Sequence, residues 1–223
     1  MIESPREATF TPDDELALEM IATQLAAGIA VARLHDREKR AGITDGLTGV
    51  YNHRHFYQRL EQELAAAETR GWPLTALIMD LNGLKALNDT HGHLAGDTAL
   101  RIVAGVLRAV TREDDTVARY GGDEFAVLLP SATADDAEQL LLRLRAQLRE
   151  HRVSGESGAG TMPLAVAAGV ATYPTDGLRA AALVAAADER MYAQKQATRQ
   201  TDVAMRGEGS RARRRIMDRL GGT

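Results

Sequence analysis

After Gly71 the chain reads Trp-Pro-Leu-Thr-Ala-Leu-Ile-Met-Asp-Leu, and the run from Leu74 to Asp80 is apolar almost without a break. A strand with one wet face alternates apolar and polar residues, so a run that does not alternate marks a strand covered on both faces. Helical patterns around it can provide the cover. Phe56, Leu60 and Leu64 form one stripe of a predicted helix over 53–70, with Gly71 as its stop. Leu100, Val103, Leu107 and Val110 face inward from a helix predicted to start at Asp97 and run to Val110. Ser131 or Thr133 caps a helix over 134–149 that presents Ala137, Leu140, Leu141, Leu144 and Leu148. A loop and short helix occupy 82–92, a hairpin 117–129, a Gly/Ser-rich flexible loop 154–160, a strand 164–173 and a last helix 179–198. Helices alternating with strands predict an α+β chain, a mixed sheet with helices packed on it.

The N-terminal segment stands apart. Thr11-Pro12-Asp13-Asp14 is a strong helix start, and Leu18, Ile21, Leu25, Ile29 and Ala32 continue it as an amphipathic helix to about Arg40. It must pack on its own domain, on a second copy, or on a domain outside this chain. Residues 1–10 and the Gly/Arg-rich tail after 200 lack periodicity and are expected to be poorly ordered, with Arg211–Arg215 a solvated cluster. The predicted division is therefore 1–42, 43–200 and 201–223.

Net charge is −4, which argues against a general nucleic-acid binder. There is no cysteine, which excludes disulfides and thiolate chemistry. No apolar run spans a bilayer and the N-terminus lacks a signal-peptide pattern, so a soluble cytoplasmic protein, or the soluble piece of something larger, is expected.

Chemistry concentrates at Arg119-Tyr120-Gly121-Gly122-Asp123-Glu124-Phe125. Gly121 and Gly122 allow a sharp turn and a close ligand approach; two carboxylates at once suit a hard divalent cation. An ordinary hairpin with solvated acids would read the same in isolation. Asp80 ends the buried strand at the sheet rim, and Asn82, Lys85, Asn88, His93 and Asp97 follow closely. Asp80 with Asp123 and Glu124 could hold one or two Mg²⁺ ions. Asn88 and Asp97 match the edge of a guanine. Lys195 and Arg199, four apart on one helix, can reach the same phosphate chain. Each has a plainer alternative: Asp97 as a helix N-cap, His93 as a solvated loop residue, Lys195 and Arg199 as a solvated helix end.

Taken together, these residues resemble the GGDEF family, the diguanylate cyclases, over about 43–200. The segment Asp45-Gly46-Leu47-Thr48-Gly49-Val50-Tyr51-Asn52 is similar to the family's opening motif. Asp80 to Asp89, His91 to Asp97, Arg119 to Phe125, Tyr173-Pro174 and Tyr192 to Arg199 follow in family order. The resemblance implies a mostly antiparallel central sheet wrapped by helices, similar to the palm of nucleotidyl cyclases. It implies condensation of two GTP into cyclic di-GMP and two pyrophosphates, in a homodimer with one GTP per chain. Implied roles are Asp80, Asp123, Glu124 and the Leu81 carbonyl for Mg²⁺ (or Mn²⁺), with Asp123 also deprotonating the 3′-hydroxyl. Asn88 and Asp97 would read guanine with His93 nearby. Gly121 and Gly122 would approach the phosphates, and Lys85, Lys195 and Arg199 would neutralise them. Arg112 and Asp115, with Arg143, fall where the family binds inhibitory product.

Departures from the family pattern are Asn82, Leu84, Thr198, Gln200 and His53. A non-catalytic receptor for cyclic di-GMP or GTP, and a cyclase making another cyclic dinucleotide, are the alternatives. The segment 10–40 resembles the last helix of a GAF sensor domain and its linker.

Overall fold

The run without alternation is strand β2, Leu74–Leu81, and all eight of its residues are buried. It lies inside a five-stranded sheet in a computed structural model that describes residues 20, 22, 24–26, 42–154 and 160–198. The chain divides into two units, Met1–Ile43 and Thr44–Thr223. In the first, positions 20, 22 and 24–26 are helical, with Met20 and Leu25 largely exposed. The rest of the predicted 11–40 helix, Arg199 and the 201–223 tail lie outside the described residues.

In the second unit the order is β1 (Tyr51–Asn52), α1 (His53–Arg70), β2, α2 (Leu84–His91), α3 (His93–Val110), β3 (Thr116–Gly121) and β4 (Glu124–Pro130). Then come α4 (Ala134–Glu150), β5 (Arg152–Ser154), β6 (Thr161–Pro163), β7 (Val166–Tyr173) and a final helix, α5, over 180–198. The sheet order is β1-β3-β4-β2-β7. β2 is antiparallel to both β4 and β7, β3 is antiparallel to β4, and only β1 joins in parallel. No helix among the described residues is long and apolar enough to cross a membrane.

Strand period explains the two cores. Leu74, Ala76 and Ile78 point to one face of the sheet and pack with Phe56 and Leu60 of α1 and Leu183, Ala187 and Met191 of α5. Leu77, Met79 and Leu81 point to the other and meet α3 and α4 through Val103, Leu107, Leu141 and Leu144. Phe56 and Leu60 are fully buried, each stabilising the fold by about 1.5–3 kcal/mol. On the α5 side the helix approaches closely at Gly169 of β7, where a Cβ would run into the Ala187 carbonyl and the Met191 amide.

Local chemistry sets the helix ends. Asn52 caps α1 by accepting the His55 N–H at 3.0 Å, and Gly71, in the left-handed region at φ 66°, stops it. Thr133, rather than Ser131, caps α4, in a reciprocal box with Asp136.

The structure corrects one expectation and adds to another. α3 starts at His93, four residues before the predicted Asp97, because Gly92 at φ 85° makes the turn and the buried Ala95 already belongs to the packed stripe. Asp97 is therefore inside the helix and caps nothing. At the predicted 154–160 loop, the flanks zip into a separate two-stranded sheet, β5 with β6, anchored by the buried Val153; residues 155–159 are outside the described set.

Candidate active site

Register brings the acids together. Asp80 of β2 lies directly opposite Glu124 of β4, and the Leu81 amide donates to the Asp123 carbonyl at 3.0 Å. Opposed residues of an antiparallel pair share a face, and here it is the face covered by α1 and α5. From α5, Lys195 Nζ reaches Asp80 Oδ2 at 2.6 Å. The Asp80 side chain is only 5% exposed, and its second oxygen, Oδ1, is buried with no hydrogen-bond partner. A buried acceptor left without a partner costs about 1–3 kcal/mol, and Oδ1 carries that cost here. Burial, with repulsion from Asp80, Asp123 and Asp188, holds the Glu124 carboxyl above its ordinary range, against the pull of Lys195. Asp188, an exposed residue of α5, is a member of this acidic field that the sequence pattern did not reveal.

These donors fit a hard cation such as Mg²⁺: they are oxygens, they are negative, and one is orphaned. Among the described residues no three His, Cys, Asp or Glu side chains converge closely enough to hold a metal alone. Backbone carbonyls, water and a ligand's phosphates would have to complete the shell.

The hairpin tip is braced from outside. Tyr120 is an extra residue where the β3–β4 register shifts, and Gly122 turns at φ 38°. Arg119 donates through Nε and Nη2 to the Gly122 carbonyl at 3.0 and 2.7 Å, and through Nη1 to both Asp45 oxygens at 3.3 Å. Asp45 also accepts the Thr48 hydroxyl at 2.6 Å and amide at 2.9 Å. Arg119 thus ties the opening motif to the turn. Tyr120 is held by a 2.7 Å hydroxyl contact with Tyr57.

Partial burial alone would raise the Asp45 carboxyl, but Thr48 and Arg119 hold it below its ordinary value. Its ionised form is the one the fold prefers. Its contribution is complete above the unfolded carboxylate value near 4 and is lost as pH falls through the lower folded value. Asp45→Asn should cost about 2 kcal/mol at neutral pH. Melting temperatures measured against pH should show the gap to the unmodified chain closing in acid; a gap that stays constant would rule out the ionic clamp.

The guanine candidates meet at the α2–α3 hairpin. Asn88 stands against Gly96, where a Cβ would collide with Asn88 Oδ1, and that oxygen is buried without a partner. Asp97 is the next residue, partly exposed, with Arg101 at 4.0 Å. Gly96 is a positioning residue the sequence reading did not single out. Gly96→Ala would push on the ends of the Asn88 and Leu84 side chains, so the melting temperature should change little while a guanine nucleotide that rests on Asn88 should bind less tightly by calorimetry; unchanged binding would remove Asn88 from the site. Lys85 is exposed on the first turn of α2. His93 opens α3 and lines a cavity of about 300 Å³ with His91, Thr98 and Ser154. Gly121 and Gly122 are exposed at the turn.

Away from this rim, Asp115 Oδ2 accepts the Arg112 amide at 2.7 Å. Burial and Asp114 push the Asp115 carboxyl up, while Arg112 and Arg143 draw it down. Arg143 itself donates to the Val110 carbonyl at 3.4 Å. Arg112 and Asp115 line a cavity of about 400 Å³ whose other walls include Arg59, Arg70 and Trp72.

Known proteins resemble this chain in sequence and fold. The family model for the diguanylate cyclase GGDEF domain matches residues 42–201. The chain is 38% identical over 171 residues to diguanylate cyclase DgcP of Pseudomonas aeruginosa, covering 75% of this chain and 24% of that protein. It is 32% identical over 160 residues to the response regulator PleD of Caulobacter vibrioides, covering 72% and 35%. The chain thus spans about a quarter to a third of these relatives' length. Among solved structures, the coiled coil and GGDEF domain of DgcB from Caulobacter crescentus, in complex with c-di-GMP, aligns with TM-score 0.70 at 29% identity, over 81% of this chain and 95% of that one. The GGDEF domain of PA1120 from P. aeruginosa aligns with TM-score 0.64 at 38% identity, over 69% and 88%. With the motifs, the sheet and the acidic rim in agreement, the chain belongs to the GGDEF family of diguanylate cyclases.

Proposed function

We propose that this chain condenses two molecules of GTP into cyclic di-GMP and two pyrophosphates, acting as a homodimer. The observation that carries the reading is the buried Asp80, with one oxygen on Lys195 and the other unpartnered, beside Asp123 and Glu124 at a Gly-Gly turn. A structural ion pair gains nothing from a buried, unpartnered Oδ1, whereas a site that takes up a cation does.

Asp80, Asp123 and Glu124, with the Leu81 carbonyl, would hold Mg²⁺ or Mn²⁺, which when bound acidifies the ribose 3′-hydroxyl and shares the charge of the phosphates. Asn88 would offer its side-chain amide to guanine, and Asp97 would accept from the N1–H and amino group that adenine cannot offer together. Gly121 and Gly122 carry no Cβ, so a phosphate can lie against the turn. Asp123 takes the proton of the 3′-hydroxyl. The 3′-oxygen of one GTP then bonds to the α-phosphorus of the other, and the bond to the β-phosphate oxygen breaks in line. Lys195, which keeps further N–H donors beyond the one on Asp80, steadies the departing pyrophosphate together with Lys85 and Arg199. Each chain binds one GTP, so two chains must face each other for both bonds to form.

The test is incubation of nucleotide-stripped protein with GTP and Mg²⁺ and chromatography of the products. Cyclic di-GMP and pyrophosphate in a 1:2 ratio are expected. GTP left intact at protein concentrations where dimers form would overturn the reading.

The Arg112–Asp115 turn is proposed as a product-binding site that restrains the enzyme. Arg112→Ala should weaken cyclic di-GMP binding about tenfold or more, through loss of a charge-assisted contact, and raise the product concentration needed for inhibition. Calorimetric titration checks this; unaltered affinity would rule the site out.

A further inference from the structure

The wall opposite Arg112 has features that the product-site motif does not require. α1 ends in a left-handed turn at Gly71, and the Trp72 amide donates to the Ala67 carbonyl at 3.1 Å, so the backbone of Trp72 is fixed. The residue nevertheless remains 49% exposed and lines the 400 Å³ cavity. The Arg70 guanidinium sits 5.0 Å from the ring centroid. Arg59, also on the wall, is already paired with Glu63 at 2.5 Å. Ser131 at φ 54° closes the rim.

An anchored, half-exposed aromatic beside two arginines and a carboxylate has a definite chemical complement. With Arg70 over one face of the indole, the other is the face that can take a base, at low conformational cost because the backbone is held. A guanidinium resting on an aromatic keeps its in-plane N–H donors available, and those suit a phosphate oxygen. An apolar peptide would leave the arginines and Asp115 uncompensated; a plain anion would leave the indole wet. A ligand that carries both a purine and a phosphodiester satisfies all of them.

We propose that Trp72 is a stacking platform for a guanine base of cyclic di-GMP in this cavity, with Arg70 and Arg112 on its phosphates. The proposal rests on the product-site reading above and adds residues from the end of α1 to it. A single chain then contributes an aromatic and a second cation to the ligand, and the site becomes selective for nucleotides over other anions.

Trp72 is the single tryptophan of the chain, so it reports on its own occupancy. Cyclic di-GMP is titrated into the purified full chain while selectively excited tryptophan emission is recorded, and binding is measured in parallel by calorimetry. The same titrations are made on Arg112→Ala, and calorimetry alone on Trp72→Ala and Trp72→Phe. A saturable change in emission, tracking the calorimetric curve and lost in Arg112→Ala, is expected. Trp72→Ala should weaken binding about tenfold, the usual scale for one stacked base, and Trp72→Phe should recover most of it; the Phe variant guards against misfolding of the Ala one. If Arg112→Ala weakens binding while the emission is unmoved and both Trp72 variants bind normally, the platform is wrong and the product site stands. If Arg112→Ala binds normally, the product site fails and the platform with it.

Discussion

Asp123→Ala should reduce cyclic di-GMP formation by about 1,000-fold or more, the scale seen when a preorganised charge is removed from a reacting centre. Asp123 sits at the hairpin turn, half-buried, with its carbonyl already committed to the Leu81 amide. Removing its side chain leaves the ladder intact, so the loss should fall on catalysis and spare folding. Stability should in fact move the other way. Glu124 is held above its ordinary value by burial and by its acidic neighbours, Asp123 among them. A carboxyl with a raised folded value makes the fold lose stability as pH rises from the unfolded value, near 4.5, through the folded one. Taking away Asp123 weakens that penalty. The variant should therefore melt at the same temperature as the unmodified chain in acid and slightly higher at neutral pH. Product assays and melting curves on one preparation test both halves. An active Asp123→Ala would remove the residue from the mechanism, and an inactive one that melts much lower would mean only that the hairpin had been damaged.

Gly169→Ala should have the largest effect on stability. The added methyl would enter space held by the Ala187 carbonyl and the Met191 amide, which are backbone atoms of α5 and cannot rotate away. Either α5 lifts from β7 or the strand bends. Overpacking of this kind costs about 3 kcal/mol, or roughly 6–12 °C in melting temperature for a domain of this size. The consequence also reaches the active site. Gln194 and Lys195 follow on the same helix, where Gln194 accepts the Ala168 amide at 2.7 Å and Lys195 pairs with Asp80. A displaced α5 should loosen that pair, so activity should fall along with stability. A melt within 2 °C, roughly the shift of a kcal/mol or less, would show that the helix can yield without cost. The contrast with Gly96→Ala is instructive: there the obstructing atoms are the ends of the Asn88 and Leu84 side chains, which can give way, so the fold should suffer far less.

Much of this was legible along the chain. A strand buried on both faces must read as an unbroken apolar run, and Leu74–Leu81 does. The stripes of α1 and α4 recur at helical spacing because each packs one face, and their stops are local chemistry: Gly71, and Thr133 with Asp136. Candidate acids, amide and cations could be named because they fall in short motifs whose order is written in one dimension. Less local features were harder to read. The start of α3 was misplaced because Gly92 ends one helix and opens the next, and a glycine alone does not say which. The β5–β6 pair was missed because three-residue strands carry too little pattern to identify.

Residue types and short-range periodicity, then, were enough to determine the central strand, the helices that cover it and the motifs at its rim, because each depends on neighbours a few positions away. Contacts across 115, 74 and 8 positions of chain were decided only in the tertiary structure: Lys195 on Asp80, Arg119 on Asp45, and Gly96 beneath Asn88. So was the place of Trp72 beside Arg112 in one cavity. No local pattern encodes those meetings, since they follow from strand register and from how helices pack on the sheet and on one another.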